Sequence, residues 1–177
     1  MNEKSMIIED VIKKSKQYVI EKDEKMAKAE KDIKIENLLQ SRDTGYHIDY
    51  TERVTKKYFY NALKMNKKIG NIGYNEILNN WQRGDDKYDI ILINGNSIAV
   101  IEVKTLAKLK DLKKLLNKQL PRFKKFFPQY KDFDLYVGFA SYYANDEIRN
   151  FAKENGIYLL ERFGDHIETI SGDIRHW

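Results

Sequence analysis

The sequence of 177 residues contains no cysteine and only three histidines, His47, His166 and His176. The missing cysteine excludes disulfides and thiolate metal sites, and the histidines do not have the spacing of a zinc-binding pair. No apolar run approaches the ~20 residues that cross a bilayer, and the first ten residues lack the apolar core of a signal peptide. We therefore expect a cytoplasmic protein that does not bind a membrane.

The composition is rich in charge and in aromatic side chains. Charged residues make up 33% of the chain, and twelve tyrosines and eight phenylalanines are available for a core. A chain of this length can form one compact domain plus an appendage. The formal net charge of +5 favours a polyanionic partner.

Residues 1–45 have the composition of a long charged helix. No glycine or proline occurs between residues 3 and 40, and Ile12, Val19, Met26 and Ile33 recur every seven positions. The companion positions of this heptad include serine, lysine and glutamate, so the apolar seam is weak. A homodimer through this helix and a solvated single helix are both open. Asp43-Thr44-Gly45 predicts a break before a globular domain over residues 46–177.

The stretch Tyr88–Thr105 has the pattern of a buried β-hairpin. Ile90–Ile93 is one apolar run, Ile98–Ile101 is another, and Asn94-Gly95-Asn96 between them is a typical hairpin turn. Runs that are apolar on both faces indicate central strands covered on both sides. The charged residues in this block therefore need a physical reason, because burying unpaired charge is costly.

Those charged residues are Asp89, Glu102 and Lys104. A turn centred on Gly95-Asn96 puts Asp89 opposite Glu102, and a turn centred one residue earlier makes them diagonal neighbours. In both registers the three side chains share a face, because side chains alternate along a strand. Two carboxylates this close favour a bound cation, and a hard divalent ion with oxygen ligands fits best.

This arrangement of an Asp, a hairpin and Glu-x-Lys in an apolar strand resembles the PD-(D/E)XK nuclease superfamily, which has the restriction-endonuclease-like fold. Tyr88 stands where the motif usually has proline. From about Tyr58 to Arg162 the chain is also similar to uncharacterised prokaryotic proteins that join a coiled coil to such a domain. The resemblance implies that Asp89 and Glu102 hold Mg²⁺ or Mn²⁺, together with the backbone carbonyl of Val103. It also implies that Lys104 is catalytic.

Two further glutamates are candidate metal ligands. Thr51–Met65 predicts the first helix of the domain, with Thr51 as N-cap and Glu52 in the first turn. In relatives a glutamate on this helix reaches the metal, whereas the alternative for Glu52 is a favourable interaction with the helix dipole. Tyr74–Trp81 predicts the first strand, and Glu76 on it is the second candidate. Asp85 and Asp86 are interpreted as solvated turn residues.

A basic helix follows the hairpin. Between Thr105 and Lys125 there are eight basic residues and one acidic residue, Asp111, which we expect to cap the helix. Pro121 predicts a kink or a restart, and Pro128 predicts the end. We expect the basic face to bind the phosphates of nucleic acid, DNA in preference to RNA. The predicted contacts are Lys108, Lys110, Lys113, Lys114, Lys118 and Arg122.

Gln119 and Phe123 are similar to a Gln-xxx-Tyr element of one nuclease branch, with phenylalanine in place of tyrosine. Gln119 is therefore a further candidate site residue. The expected fold is α/β, with a restriction-endonuclease-like αβββαβ core, a central mixed sheet flanked by helices, and a long helix before it.

The function that these patterns favour is metal-dependent hydrolysis of phosphodiester bonds, with Asp89, Glu102 and Lys104 as catalytic residues. Two alternatives stay open. One is a non-catalytic nucleic-acid-binding protein that keeps the fold, and the other is an oligomerisation or adaptor protein that works through its N-terminal helix.

Overall fold

The computed structural model describes residues 45–163, 166–170 and 174–177, with side chains from residue 51 onward. The predicted N-terminal helix and its coiled-coil dimer lie outside these residues. The secondary structure comprises helix α1 and a small hairpin, then a six-stranded sheet with helices inserted. Its elements are α1 (Gly45–Asn66), β1 (Lys68–Ile69), β2 (Ile72–Gly73), β3 (Glu76–Arg83), β4 (Asp86–Ile93), β5 (Ser97–Leu106), α2 (Leu109–Lys114), a π-helical turn (Leu115–Gln119), α3 (Leu120–Phe126), a 3₁₀ turn (Pro128–Tyr130), β6 (Asp134–Tyr143), α4 (Asp146–Glu154), β7 (Tyr158–Phe163) and β8 (His166–Ile170).

The large sheet is mixed, and its strand order is β3-β4-β5-β6-β7-β8. Strands β3, β4 and β5 are antiparallel neighbours, whereas β5, β6 and β7 run parallel and β8 returns antiparallel to β7. The parallel pairs follow from the crossovers, because a helical segment joins β5 to β6 and α4 joins β6 to β7. The prediction of an α/β protein with a mixed sheet flanked by helices is confirmed.

The central hairpin takes the first of the two predicted registers. Ile93 pairs with Ile98 and Ile90 with Ile101, and the N–H of Asn94 donates to the carbonyl of Ser97. Gly95 and Asn96 are therefore the central turn residues. The side chain of Asn94 also accepts hydrogen bonds from two N–H groups of the turn, which fixes its geometry.

Two hydrophobic layers cover the sheet. On one face α1 contributes Phe59 and Leu63, which share a core layer with Ile90, Leu92 and Ile101. On the other face the helices between β5 and β7 pack against alternate residues of the same strands. That layer includes Ile91, Val100, Leu112, Leu116, Phe123 and Ile148. The continuous apolar runs of β4 and β5 are thus explained, because both faces of these strands are buried.

The basic helix is interrupted by a π-helical turn immediately before Pro121. Proline lacks an N–H and its ring clashes with the carbonyl four residues earlier, so α-helical hydrogen bonding cannot continue through this point. The wider turn buries the adjacent residues Leu115 and Leu116, and it also buries Gln119. The predicted restart at Pro121 and end before Pro128 are confirmed. The predicted cap is wrong, because Lys108 is the N-cap and Asp111 lies in the first turn.

Three local predictions are corrected. Helix α1 already includes the residues before Thr51, so Thr51 is not its N-cap and Glu52 is not in its first turn. Strand β3 lies two residues later than predicted, because polar side chains are tolerated along the edge of a sheet. Asp86 is no turn residue: it begins β4, pairs with Arg83 in the ladder and is buried.

Candidate active site

The site lies where β4 and β5 separate. Their ladder ends at Ile90 and Ile101, and each strand then continues with its other neighbour, β4 with β3 and β5 with β6. Asp89 and Glu102 are the first residues beyond the last pair. The divergence opens a cleft of about 230 Å³ at this position.

Strand β4 is irregular at Asp89. The ladder with β3 skips Asn80 and Asp89, and Asn80 has a φ of 51°. Tyr88 consequently lies in the same core layer as Ile91, although residues three apart on a regular strand point to opposite faces. Simple alternation therefore does not describe how Asp89 reaches the cleft.

Asp89 is buried and both of its carboxylate oxygens are bonded. The ammonium of Lys56, on α1, lies 2.7 Å from Oδ1. The backbone N–H of Val103 donates to Oδ2 at 2.9 Å. Asp89 thereby ties α1 to the end of β5, across the gap that the separating strands leave.

A chain of alternating charges continues from this contact. Lys56 also lies 3.3 Å from Glu52, Glu52 lies 2.8 Å from the ammonium of Lys104, and Lys104 lies 3.3 Å from Glu102. Three carboxylates and two ammoniums thus alternate from Asp89 to Glu102. These five linked side chains carry one net negative charge when all of them are ionised.

The excess negative charge affects the pKa of Glu102. Burial, and after it the charge of Asp89, raises the pKa of Glu102 above its ordinary value, and the nearby Lys104 offsets this only in part. A cation placed between Asp89 and Glu102 would offset the charge of Asp89 and lower the pKa of Glu102.

The two ammoniums and Glu52 are held in their charged forms. Burial alone lowers the pKa of Lys104, but its hydrogen bond to Glu52 and the charges of Glu102 and Glu52 outweigh burial and raise it. In Lys56 burial is likewise outweighed by the contacts with Asp89 and Glu52, so its pKa is raised. Burial raises the pKa of Glu52, yet the contacts with Lys104 and Lys56 lower it overall.

The opposite wall of the cleft comes from the basic helix. Lys114 and Lys118 are one helical turn apart and line the cleft together with Gln119. The π-helical turn directs Gln119 inward, where its amide nitrogen donates to the carbonyl of Lys87 at 3.4 Å. Such turns often occur at functional sites.

The predicted site residues divide into two groups. Asp89, Glu102 and Lys104 line the cleft, as do Lys114, Lys118 and Gln119, and Glu52 joins them through Lys104. The remaining candidates do not line it: Glu76, Val103, Lys108, Lys110, Lys113 and Arg122.

Two of these candidates have definite positions elsewhere. Glu76 is exposed and pairs with Ile93, four residues along β4 from Asp89, so the structure does not bring it to the cleft. Arg122 lies 3.1 Å from the buried Asp86 and is therefore an ion-pair partner within the protein.

Sequence reasoning missed Lys56 and misread Asp86. Lys56 is four residues from Glu52 on one helix face, a spacing that favours an ion pair and is a usable signal. Its contact with Asp89 joins distant parts of the chain, and no local pattern encodes it. That Asp86 is a buried ion-pair partner can be recognised only once the position of Arg122 is known.

Among the residues whose side chains the structure describes, no three acidic or histidine side chains are arranged to hold an ion. Four carboxylates line the cleft, Asp85, Asp86, Asp89 and Glu102, and of these Asp86 is already paired with Arg122. Asp89 and Glu102 are the two that lie where β4 and β5 separate. In the described part of the chain no helix combines the length and apolarity needed to span a membrane. Comparisons with family models, with curated proteins and with solved structures give no match for this chain.

Proposed function

We propose that this chain is a metal-dependent nuclease of the PD-(D/E)XK type, with a restriction-endonuclease-like fold. The observation that carries the proposal is the meeting of Asp89, Glu102 and Lys104 in one cleft, at the point where β4 and β5 separate. The order of a helix, three antiparallel strands, a helical segment and a parallel strand also supports it.

The donor set fits Mg²⁺ or Mn²⁺. Magnesium binds through one or two carboxylates and keeps several waters, so Asp89 and Glu102 are sufficient protein ligands. The N–H of Val103 faces Asp89, and the carbonyl of a strand residue points to the same side as its N–H. We expect this carbonyl to be a third ligand. Burial and the charge of Asp89 raise the pKa of Glu102, so a cation beside it would favour its ionised form.

When bound, the ion supplies a Lewis acid for the scissile phosphate and lowers the pKa of a water molecule. The water oxygen would form a bond to phosphorus as its proton passes to bulk water, and the bond to the leaving oxygen would break as that oxygen takes a proton from bulk water. Lys104 orients the water by hydrogen bonding and stabilises the negative charge that develops on the phosphate. Glu52 holds the Lys104 ammonium in place, because it accepts a hydrogen bond from it at 2.8 Å.

The basic wall supplies the contact with the nucleic-acid backbone. Lys114 and Lys118 are exposed and line the same cleft as the carboxylates. Lysine contacts with phosphates position a substrate without reading its sequence. DNA is the preferred substrate in this proposal.

The test is incubation of the purified protein with plasmid, linear and single-stranded DNA and with RNA, with Mn²⁺ or with chelator. We expect metal-dependent cleavage that Asp89→Ala and Lys104→Ala abolish. Lys108→Ala, whose side chain is exposed outside the cleft, is the matched control and should cut like the parent. Cleavage by the Asp89 and Lys104 variants at the parent rate would show that this site is wrong.

A non-catalytic nucleic-acid-binding protein is the second candidate. It is favoured by the fact that both oxygens of Asp89 are already bonded to groups of the protein itself, Lys56 and Val103. This candidate predicts salt-dependent binding without any metal-dependent product, so the same incubations separate the two functions. The adaptor function through residues 1–45 and its homodimer stay predictions.

A further inference from the structure

The contact of Lys56 with Asp89 is closer than any other ion pair in the cleft. The two atoms are 2.7 Å apart, and the side chain of Lys56 retains only 20% of its exposure. The second oxygen of Asp89 holds a backbone N–H. The lysine therefore occupies the oxygen of Asp89 that has no backbone partner, and a cation that approaches this oxygen meets the ammonium.

The charges around Lys56 explain why a positively charged group is needed beside Asp89. Removal of its ammonium leaves Asp89, Glu102 and Glu52 with Lys104 as the one remaining positive group of the chain of contacts. Carboxylates that are buried together without compensation repel one another and resist ionisation. Lys56 thus stabilises the cleft when no divalent ion is bound.

We propose that the ammonium of Lys56 occupies the cation position beside Asp89 in the metal-free protein and moves away when a divalent ion binds. Lys56 is in this sense a positioning residue. This inference rests on the proposed function and deepens it. An ammonium and a metal ion compete for the same oxygen and repel each other. Lys56 has a second acceptor, Glu52, at 3.3 Å, so a small rotation of its flexible chain moves the ammonium without leaving it unpaired.

The consequence is that Lys56 weakens the binding of the ion. Its replacement by an uncharged residue removes the competitor and leaves the carboxylates with a larger unmet negative charge. We expect Lys56→Met to bind Mn²⁺ about tenfold more tightly than the parent, the order of effect of one charge at contact distance when it is screened nearly as in bulk water. The metal-free variant should unfold at a lower temperature, and saturating Mn²⁺ should close that gap.

The experiment is calorimetric titration of the full chain with Mn²⁺, together with thermal unfolding with and without the ion. Lys57→Met is the matched control, because Lys57 is the next residue of the same helix and is exposed. If Lys56→Met does not fold, Lys56→Gln replaces it, since glutamine keeps a neutral donor beside Asp89, and it should also bind more tightly than the parent.

Three results overturn the inference, and they differ in what else they overturn. Equal or weaker Mn²⁺ binding by the Lys56 variants would remove the role of Lys56 and leave the proposed function intact. If neither the folded parent nor the variants bind Mn²⁺, the proposed function fails and this inference fails with it. Tighter binding by Lys57→Met to the same extent would also contradict it, because the effect would then be one of overall charge.

Discussion

The ammonium of Lys104 lies closer to Glu52 on α1 than to Glu102 on its own strand, 2.8 Å against 3.3 Å. The lysine of the Glu-x-Lys motif is therefore held by a residue outside the motif. Glu52 also contacts Lys56, so this one carboxylate connects the two ammoniums of the cleft. Its contribution should be visible in the reaction more than in stability.

We expect Glu52→Gln to lower the rate of cleavage and to shift its alkaline limit to lower pH. The contacts with Glu52 and Glu102 outweigh burial and raise the pKa of Lys104, so loss of the Glu52 charge lets Lys104 lose its proton at lower pH. The pH–rate profile measures this shift. Unfolding free energy should change by less than about 1 kcal/mol, because the pair is partly exposed.

Glu76→Gln is the control for this variant, because Glu76 is exposed and remote from the cleft. Its profile should match that of the parent. An unshifted alkaline limit in Glu52→Gln would show that Glu52 does not position Lys104.

The second prediction concerns the pH dependence of stability. Burial, and then the charge of Asp89, raises the pKa of Glu102 above its ordinary 4.5. Between pH 4.5 and that raised pKa the folded state binds more protons than the unfolded state, so stability falls as pH rises through this window. Glu102→Gln cannot ionise and should lose less stability over the same range. Urea denaturation at a series of pH values, without metal ions, measures the difference.

Mn²⁺ provides an internal check on this prediction. At neutral pH it should stabilise the parent and leave Glu102→Gln nearly unchanged, because the variant has lost one carboxylate ligand. Parallel stability profiles for parent and variant would mean that ionisation of Glu102 is not costly in the folded protein.

The third prediction separates the lysines of the basic helix. Lys114 and Lys118 line the cleft, whereas Lys108 and Lys110 are exposed outside it. Lys114→Met and Lys118→Met should each weaken binding of duplex DNA and reduce the salt slope of the binding constant by about 0.9, the value for one lost phosphate contact.

Filter binding across a salt series, with chelator present to prevent cleavage, provides the measurement. Lys108→Met and Lys110→Met carry the same change of charge and are the matched controls. Equal losses from all four variants would indicate a general electrostatic effect without a defined phosphate path.

The part of the site that sequence reasoning predicted is the part that local rules govern. Turn chemistry restricted the hairpin to two registers, and the structure has the one centred on Gly95 and Asn96. That register puts Asp89 and Glu102 together at the end of the ladder. The restart at Pro121 was also predictable, because proline acts through its own ring and missing N–H.

The parts that were missed depend on contacts between elements or on backbone irregularity. Lys56 meets Asp89 only because α1 packs across the end of β5. Gln119 was a candidate through the resemblance alone, and what was missed is the π-helical turn that directs it inward, because helical periodicity assumes that no such turn exists. Alternation along β4 likewise assumes regular pairing, which fails at Asn80.

The fourth prediction tests the irregular pairing of β3 with β4 at Asn80. Asn80 has a φ of 51°, and the ladder skips both Asn80 and Asp89. Glycine adopts this conformation freely, asparagine tolerates it, and a β-branched residue does not. Asn80→Gly should therefore keep stability and metal binding. Asn80→Val should cost about 1–2 kcal/mol of unfolding free energy and weaken Mn²⁺ binding, because regular pairing would turn Asp89 away from the Val103 N–H.

Asn79→Val is the matched control for this variant. Asn79 is exposed, is paired with Ile90 and precedes the irregular position, so valine there suits the strand. Denaturation and Mn²⁺ titration should show an effect at position 80 and none at position 79. If both valine variants bind Mn²⁺ like the parent, the conformation of Asn80 has no part in directing Asp89 to the cleft.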